Sequence, residues 1–112
     1  MVAHPTGRLL NSRPAYDVDM DAVFQAAKET GTLLELNAKP RRLDLNDRLL
    51  LAAKLHGIPI VINTDAHKVA GFNDMQYGIK QARRGCLTKH NVANTKTLKQ
   101  LKSLIAKKKT AQ

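Results

Sequence analysis

The sequence has 112 residues, of which 43% are hydrophobic, 4% aromatic and 25% charged. This composition is typical of one small globular domain and excludes the disordered, collagen-like and coiled-coil classes. No apolar run approaches the roughly 20 residues of a membrane-spanning helix, and the single cysteine, Cys86, excludes an internal disulfide and a cysteine-only zinc site. We therefore predict a cytoplasmic protein without membrane contact.

The net charge lies at one end of the chain. Lysine and arginine number 19 against 9 aspartate and glutamate, which gives a formal charge of +10. Residues 1–74 have no net charge. Residues 75–112, the basic segment, carry ten basic side chains and no acidic one: Lys80, Arg83, Arg84, Lys89, Lys96, Lys99, Lys102, Lys107, Lys108 and Lys109. This segregation indicates a surface for phosphate backbones or another anionic surface, although a solvated helix face followed by a lysine tail explains it equally well.

Strands and helices are predicted to alternate along the chain. The strands are expected at residues 1–3, 32–37 and 59–63, and the helices at 19–28, 46–56, 73–84 and 95–108. Asp19 has the side chain of an N-cap, and Gly31 is a stop signal for the first helix. The alternation predicts an α/β fold of βαβ repeats with parallel strands and right-handed crossovers.

Apolar residues define the buried faces of two helices. In the first helix the predicted face consists of Ala22, Val23, Ala26 and Ala27. In the last helix, Leu98, Leu101, Leu104 and Ile105 form an apolar stripe opposite a lysine face.

Polar residues follow the predicted strands at the edge where functional groups of parallel sheets collect. They are His4, Asn37 and the pair Asp65 and His67. In an extended Asp-x-His segment the two side chains point the same way, toward one site or two adjacent metals. Imidazole nitrogen and carboxylate oxygen suit Zn²⁺, Mn²⁺ or Fe²⁺. A capping aspartate and a hydrogen-bonded loop histidine are the alternative.

Structural roles are the main expectation for most of the other polar residues and for the cysteine. Arg8, Arg41 and Arg42 lie near the same edge, where they either clamp phosphate or are solvated. Glu35 is interpreted as the partner of a cation such as Arg8. His56 is expected at a helix end and His90 on the surface, and Cys86 is expected to be a small buried hydrophobe.

Four ordered motifs carry a resemblance to a known family. They are His-Pro-Thr-Gly-Arg at 4–8, Leu-Glu-Leu-Asn-Ala at 34–38, Arg-Leu-Asp-Leu at 42–45 and Ile-Asn-Thr-Asp-Ala-His at 62–67. In this order they resemble the PHP (polymerase and histidinol phosphatase) domain. The similarity is strongest to the C-terminal part of that domain in bacterial family X DNA polymerases, and it includes Tyr-Gly at 77–78 and Ala-Arg-Arg-Gly at 82–85.

The resemblance implies a metal-dependent phosphoesterase. The family fold is a distorted seven-stranded α/β barrel, which binds up to three divalent metals, Mn²⁺ or Zn²⁺, and in these polymerases supports a 3′–5′ exonuclease of DNA repair. Transferred by motif, His4, Asp65 and His67 are expected metal ligands, with Asp65 and His67 catalytic. Arg8 and Arg42 are expected to face the substrate phosphate. DNA backbone contacts are expected from the basic segment at Arg83, Arg84, Lys96 and Lys99.

The sequence also departs from the family. It lacks the early His-x-His motif, the middle histidine and glutamate ligands, and every polymerase segment. Residues 1–112 are therefore expected to be the C-terminal portion of a PHP domain, inactive alone, from a longer protein or a truncated gene product. Expected partners are DNA and either the missing N-terminal half or another copy of the chain. The alternative is a catalytically inert, basic nucleic-acid-binding module.

Overall fold

Helices and strands alternate along the chain as the sequence predicts. The computed structural model describes residues 1–110, with side chains through residue 106. The helices are α1 (Met20–Thr30), α2 (Asp47–Leu55), α3 (Met75–Arg84) and α4 (Leu98–Thr110), and the strands are β1 (Leu34–Asn37) and β2 (Ile60–Asn63). Three short 3₁₀ helices, at Val69–Asp74, Lys89–Asn91 and Ala93–Thr95, were not predicted.

β1 and β2 form a parallel sheet joined by α2. Leu34 lies opposite Ile60, and the register continues to the ends of both strands. Val2 adds a parallel bridge to Leu34 on one side, and Val92 adds one to Ile60 on the other. The α/β class and the βαβ unit are confirmed. The strand expected at residues 1–3 is a single bridge, and the seven-stranded barrel stays a prediction.

Helix ends follow local hydrogen bonds. Asp19 caps α1 by accepting from the Ala22 amide at 3.2 Å, and Gly31, at φ +69°, ends it. α4 begins three residues later than the predicted Thr95, because Thr97 and Gln100 cap it reciprocally: each backbone amide donates to the other's side chain. Both sequence signals for α1 are thus confirmed, whereas the start of α4 depends on a cap that the sequence analysis missed.

The core lies between the sheet and the helices. Its largest fully buried apolar side chains are Phe24, Leu34, Leu36, Leu45, Leu50 and Ile60. The apolar face predicted for α1 was wrong in part, since Ala22 and Ala26 are exposed. Phe24 is buried instead, 5.3 Å from the His56 ring. An aromatic side chain removes more apolar surface from water than alanine does, so it sets which side of α1 faces the sheet.

α4 packs loosely. Of its predicted stripe, Leu101 and Leu104 are half-buried, whereas Leu98 and Ile105 are 68% and 52% exposed. The side chains of the three cations predicted at the end of the basic segment, Lys107, Lys108 and Lys109, lie outside the described residues. No helix in the described part of the chain combines the length and apolar character that crossing a membrane requires.

Gly78 brings α3 close to the sheet. A Cβ atom at this position would lie 2.6 Å from Ile62 Cγ2 and 2.7 Å from Ala38 Cβ. These distances are too short for any side chain, so glycine permits the contact. α3 consequently packs beside the ends of both strands, where the candidate site residues lie.

Candidate metal centre at the carboxyl edge of the sheet

A buried carboxylate connects three segments at the carboxyl edge of the sheet. Glu35 is 5% exposed. Its Oε1 accepts from the His4 amide at 2.9 Å and from Asn37 Nδ2 at 3.1 Å, and its Oε2 accepts from Asn63 Nδ2 at 3.0 Å. The expected pairing of Glu35 with Arg8 is therefore wrong. Backbone and amide donors satisfy the carboxylate instead, and they hold the N-terminal segment against the ends of β1 and β2.

His4 begins a tight turn at this edge. Its backbone is left-handed, at φ +28°, and its carbonyl accepts from the Gly7 amide at 2.9 Å. The ring is half-buried, and Nδ1 is fully buried without a hydrogen-bond partner among the described residues. A buried imidazole nitrogen without a partner is costly unless a ligand uses it.

Asp44 fixes the same turn from the other side. It is 0% exposed, and its Oδ2 accepts from the amides of Thr6 and Gly7 at 3.0 and 2.9 Å. Its own backbone exchanges hydrogen bonds with Asn37 at the end of β1. Asp44 thus links the turn that contains His4 to the sheet. The sequence analysis assigned it no role, although an aspartate between Leu43 and Leu45 was the available signal.

The two arginines of the motifs hold neighbouring loops together. Arg8 Nε donates to the Arg42 carbonyl at 2.7 Å, and Arg8 Nη2 donates to the Leu43 carbonyl. Arg42 Nη1 donates in return to the Arg8 carbonyl at 3.4 Å. Both guanidinium groups therefore bind backbone carbonyls, and their contact with phosphate stays a prediction.

Asp65 and His67 form a compact turn after β2. Asp65 is exposed and left-handed, at φ +51°, so the extended conformation assumed for Asp-x-His was wrong. Aspartate tolerates this conformation better than most residues do. His67 Nδ1 lies 2.8 Å from the Asp65 carbonyl oxygen. If Nδ1 carries the proton it donates to that carbonyl, and Nε2 keeps a lone pair for a metal, which is the common arrangement in metal-binding histidines.

The candidate ligands fit a divalent metal in chemistry but do not form a closed site. Asp65 and His67 line one cavity of about 290 Å³. His4 is tied through Glu35 to Asn63, at the end of β2. In the part of the chain that the structure describes, no three His, Cys, Asp or Glu side chains come close enough to hold one metal ion. Imidazole and carboxylate donors are thus available at one edge, without a full set of protein ligands.

The basic segment is mostly solvent-exposed. Arg83, Arg84 and Lys99 are exposed, and Lys96 is half-buried. Among the described side chains the only ion pair joins Arg84 Nη2 to Asp47 Oδ2, at 3.7 Å. Most cations of this segment therefore face water. Cys86, expected to be buried, is exposed.

Known proteins similar to this chain include a polymerase and phosphatases. Over 105 residues it is 43% identical to DNA polymerase/3'-5' exonuclease PolX of Bacillus subtilis (strain 168), a match that covers 94% of this chain and 18% of that protein. Over 101 residues it is 28% identical to probable phosphatases of Thermoanaerobacter sp. (strain X514) and Thermoanaerobacter pseudethanolicus (strain ATCC 33223 / 39E). Those matches cover 85% of this chain and 39% of each phosphatase.

These matches establish homology but not a domain assignment. No protein-family model matches the chain. The chain spans less than two fifths of the length of each of these relatives. It is therefore homologous to part of a polymerase with 3′–5′ exonuclease and to part of probable phosphatases.

Proposed function

We propose that residues 1–112 are the C-terminal portion of a PHP domain whose complete form hydrolyses phosphoesters with divalent metal. The observation that carries the proposal is that His4, Asp65 and His67 lie at the carboxyl edge of a parallel sheet, where Glu35 ties the first segment to both strands. The names of the relatives support the reaction class, since an exonuclease and a phosphatase both break a phosphate ester bond.

Each proposed ligand has a distinct role. His67 would bind a metal through Nε2, with its ring oriented by the Asp65 carbonyl. Asp65 would bind through its exposed carboxylate, and His4 through its ring, whose Nδ1 has no protein partner among the described residues. A bound Mn²⁺ or Zn²⁺ would supply a hydroxide nucleophile near neutral pH and offset charge on the phosphate oxygens.

We further propose that the substrate is the 3′ end of a DNA strand during repair, in the cytoplasm. The match to a polymerase with 3′–5′ exonuclease supports this choice over a small phosphomonoester. The exposed cations of the basic segment support it as well, because they suit a phosphodiester backbone.

Metal titration of the full chain tests the ligand assignment. We expect weak binding of Mn²⁺ or Zn²⁺, because few protein ligands are present. Asp65→Ala and His67→Ala should each weaken it by about tenfold, as loss of a metal-site residue commonly does. His90→Ala, an exposed histidine outside the site, is the matched control. If titration calorimetry gave unchanged affinity in both site variants, the assignment would be wrong.

A second candidate function is the inert nucleic-acid-binding module. Two observations favour it. Residues 75–106 contain exposed cations and no acidic residue. Among the described residues, no three candidate ligands lie close enough to hold one metal ion. This module would need His4, Asp65 and His67 only as structural residues.

Salt dependence tests the nucleic-acid surface. If Arg83, Arg84, Lys96 and Lys99 each neutralise one phosphate, the slope of log affinity against log salt should be about −3 for single-stranded DNA. Removing residues 95–112 should make the slope less steep by about 0.7 for each lost contact. Lys28→Ala and Arg48→Ala, exposed cations of the neutral region, serve as controls. A flat affinity between about 50 and 200 mM salt would rule out backbone binding.

A further inference from the structure

A cavity beside β2 joins the proposed metal ligands to two lysines. It measures about 290 Å³ and lies between the end of β1, the turn at Asp65 and the 3₁₀ helix Val69–Asp74. Its charged lining consists of Lys39, Lys68, Asp65 and Asp74. We call this cavity the lysine pocket. Since Asp65 and His67 both line it, an occupant would lie beside these two proposed ligands.

Small residues keep the lysine pocket open. One wall consists of Ala66, Ala70 and Gly71. A Cβ atom at Gly71 would lie 3.1 Å from Ala66 Cβ, so these two positions are already in close contact. A larger side chain at Gly71 would therefore crowd Ala66 and disturb this wall of the lysine pocket.

The charges of the lysine pocket are balanced only while no metal is bound. Lys39 and Lys68 oppose Asp65 and Asp74, yet none of these four side chains forms an ion pair in the described part of the chain. Asp74 precedes α3 but its side chain makes no cap hydrogen bond. A divalent metal on Asp65 and His67 would bring the pocket to a charge of +2, which a phosphate dianion would neutralise.

We propose that the lysine pocket binds one phosphate ester group of the substrate, with Lys39 and Lys68 as its cationic contacts. The inference rests on the proposed function, because it places the phosphate beside the metal ligands Asp65 and His67. The volume lies at the lower end of the range for ligand sites, so the pocket admits one phosphorylated unit rather than a longer segment of nucleic acid.

The contacts of the arginines support this choice of residues. Arg8 and Arg42 donate to backbone carbonyls across two loops. Redirecting them to phosphate would break those hydrogen bonds. The side chains of Lys39 and Lys68 make no hydrogen bond within the described residues, so they bind an anion at no such cost.

A chemical-shift titration of the full chain tests the lysine pocket. The ¹⁵N-labelled chain is titrated with inorganic phosphate and separately with ribose 5-phosphate, with Mg²⁺ as a diamagnetic divalent ion. Saturable shifts are expected at the amides of residues 65–71. Lys39→Ala and Lys68→Ala should each weaken phosphate binding about threefold to fivefold, and Lys28→Ala should leave it unchanged. Gly71→Val should weaken ribose 5-phosphate more than inorganic phosphate.

Two outcomes would overturn the inference: unchanged affinity in both lysine variants, or shifts confined to residues outside the lysine pocket. Failure of the proposed function has a different signature. In that case the Mg²⁺ affinity of Asp65→Ala, measured without phosphate, would equal that of the unmodified chain. If Mg²⁺ affinity falls in Asp65→Ala while phosphate affinity is unchanged in both Lys39→Ala and Lys68→Ala, only the assignment of the lysine pocket is wrong.

Discussion

Replacing Asp44 with alanine is expected to lower the free energy of unfolding by about 2 kcal/mol, the largest effect on stability that we predict. The change would remove the side-chain acceptor of the buried Thr6 and Gly7 amides, which lie 3.0 and 2.9 Å from Asp44 Oδ2. The Gly7 amide keeps the His4 carbonyl, at 2.9 Å, as a second acceptor, whereas the buried Thr6 amide is left without one, at a cost of about 1–3 kcal/mol. Urea unfolding followed by circular dichroism measures the change.

Two matched variants separate the hydrogen bonds from packing. Asp44→Asn keeps one carbonyl oxygen for the two amides, and we expect it to retain most of the stability. Thr6→Val removes a hydroxyl that is buried without a partner among the described residues, so it should cost almost nothing. Equal losses in Asp44→Ala and Asp44→Asn would contradict the role given to the turn.

Phosphoester hydrolysis is expected to be absent from the chain alone and to return only with the rest of the domain. Hydrolysis requires a metal held firmly enough to activate water, and usually a second metal for the leaving group. Among the described residues no three candidate ligands lie close enough to hold one ion, so bound ions would keep mostly water ligands and activate water poorly. Mn²⁺-dependent release of nucleotides from a single-stranded 3′ end measures this activity.

The complementation control uses an N-terminal PHP half that carries the His-x-His motif. Mixed with that half, this chain should become active, and the same mixture with Asp65→Ala should remain inactive. Robust turnover by the 112-residue chain alone, lost in Asp65→Ala, would show that further ligands are unnecessary. It would contradict the proposal that this chain is one part of a divided site.

Features set by neighbouring residues were predicted well from the sequence. Asp19 and Gly31 were assigned correctly as the cap and stop of α1, because capping depends on a few adjacent backbone groups. The β-branched run at residues 59–63 became β2 because its side chains suit a buried parallel strand.

Features set by tertiary contacts were not predicted. Val92 stands among polar residues, and its bridge to Ile60 depends on where the chain returns to the sheet. The partners of Glu35 come from three separate segments, which no local pattern reveals. Asp65 was expected to be extended, but the turn closed by the His67 ring holds it in a left-handed conformation.

The central claim, a metal centre at the carboxyl edge of the sheet, is tested most directly by Mn²⁺ line broadening of the four histidine rings. His4 and His67 lie at that edge, whereas His56 precedes β2 and His90 lies near Val92, which pairs with the first residue of β2. Because paramagnetic broadening falls steeply with distance, substoichiometric Mn²⁺ should broaden the His4 and His67 resonances first and leave His56 and His90 sharp. Uniform broadening of all four rings, or earlier broadening of His90, would contradict the account.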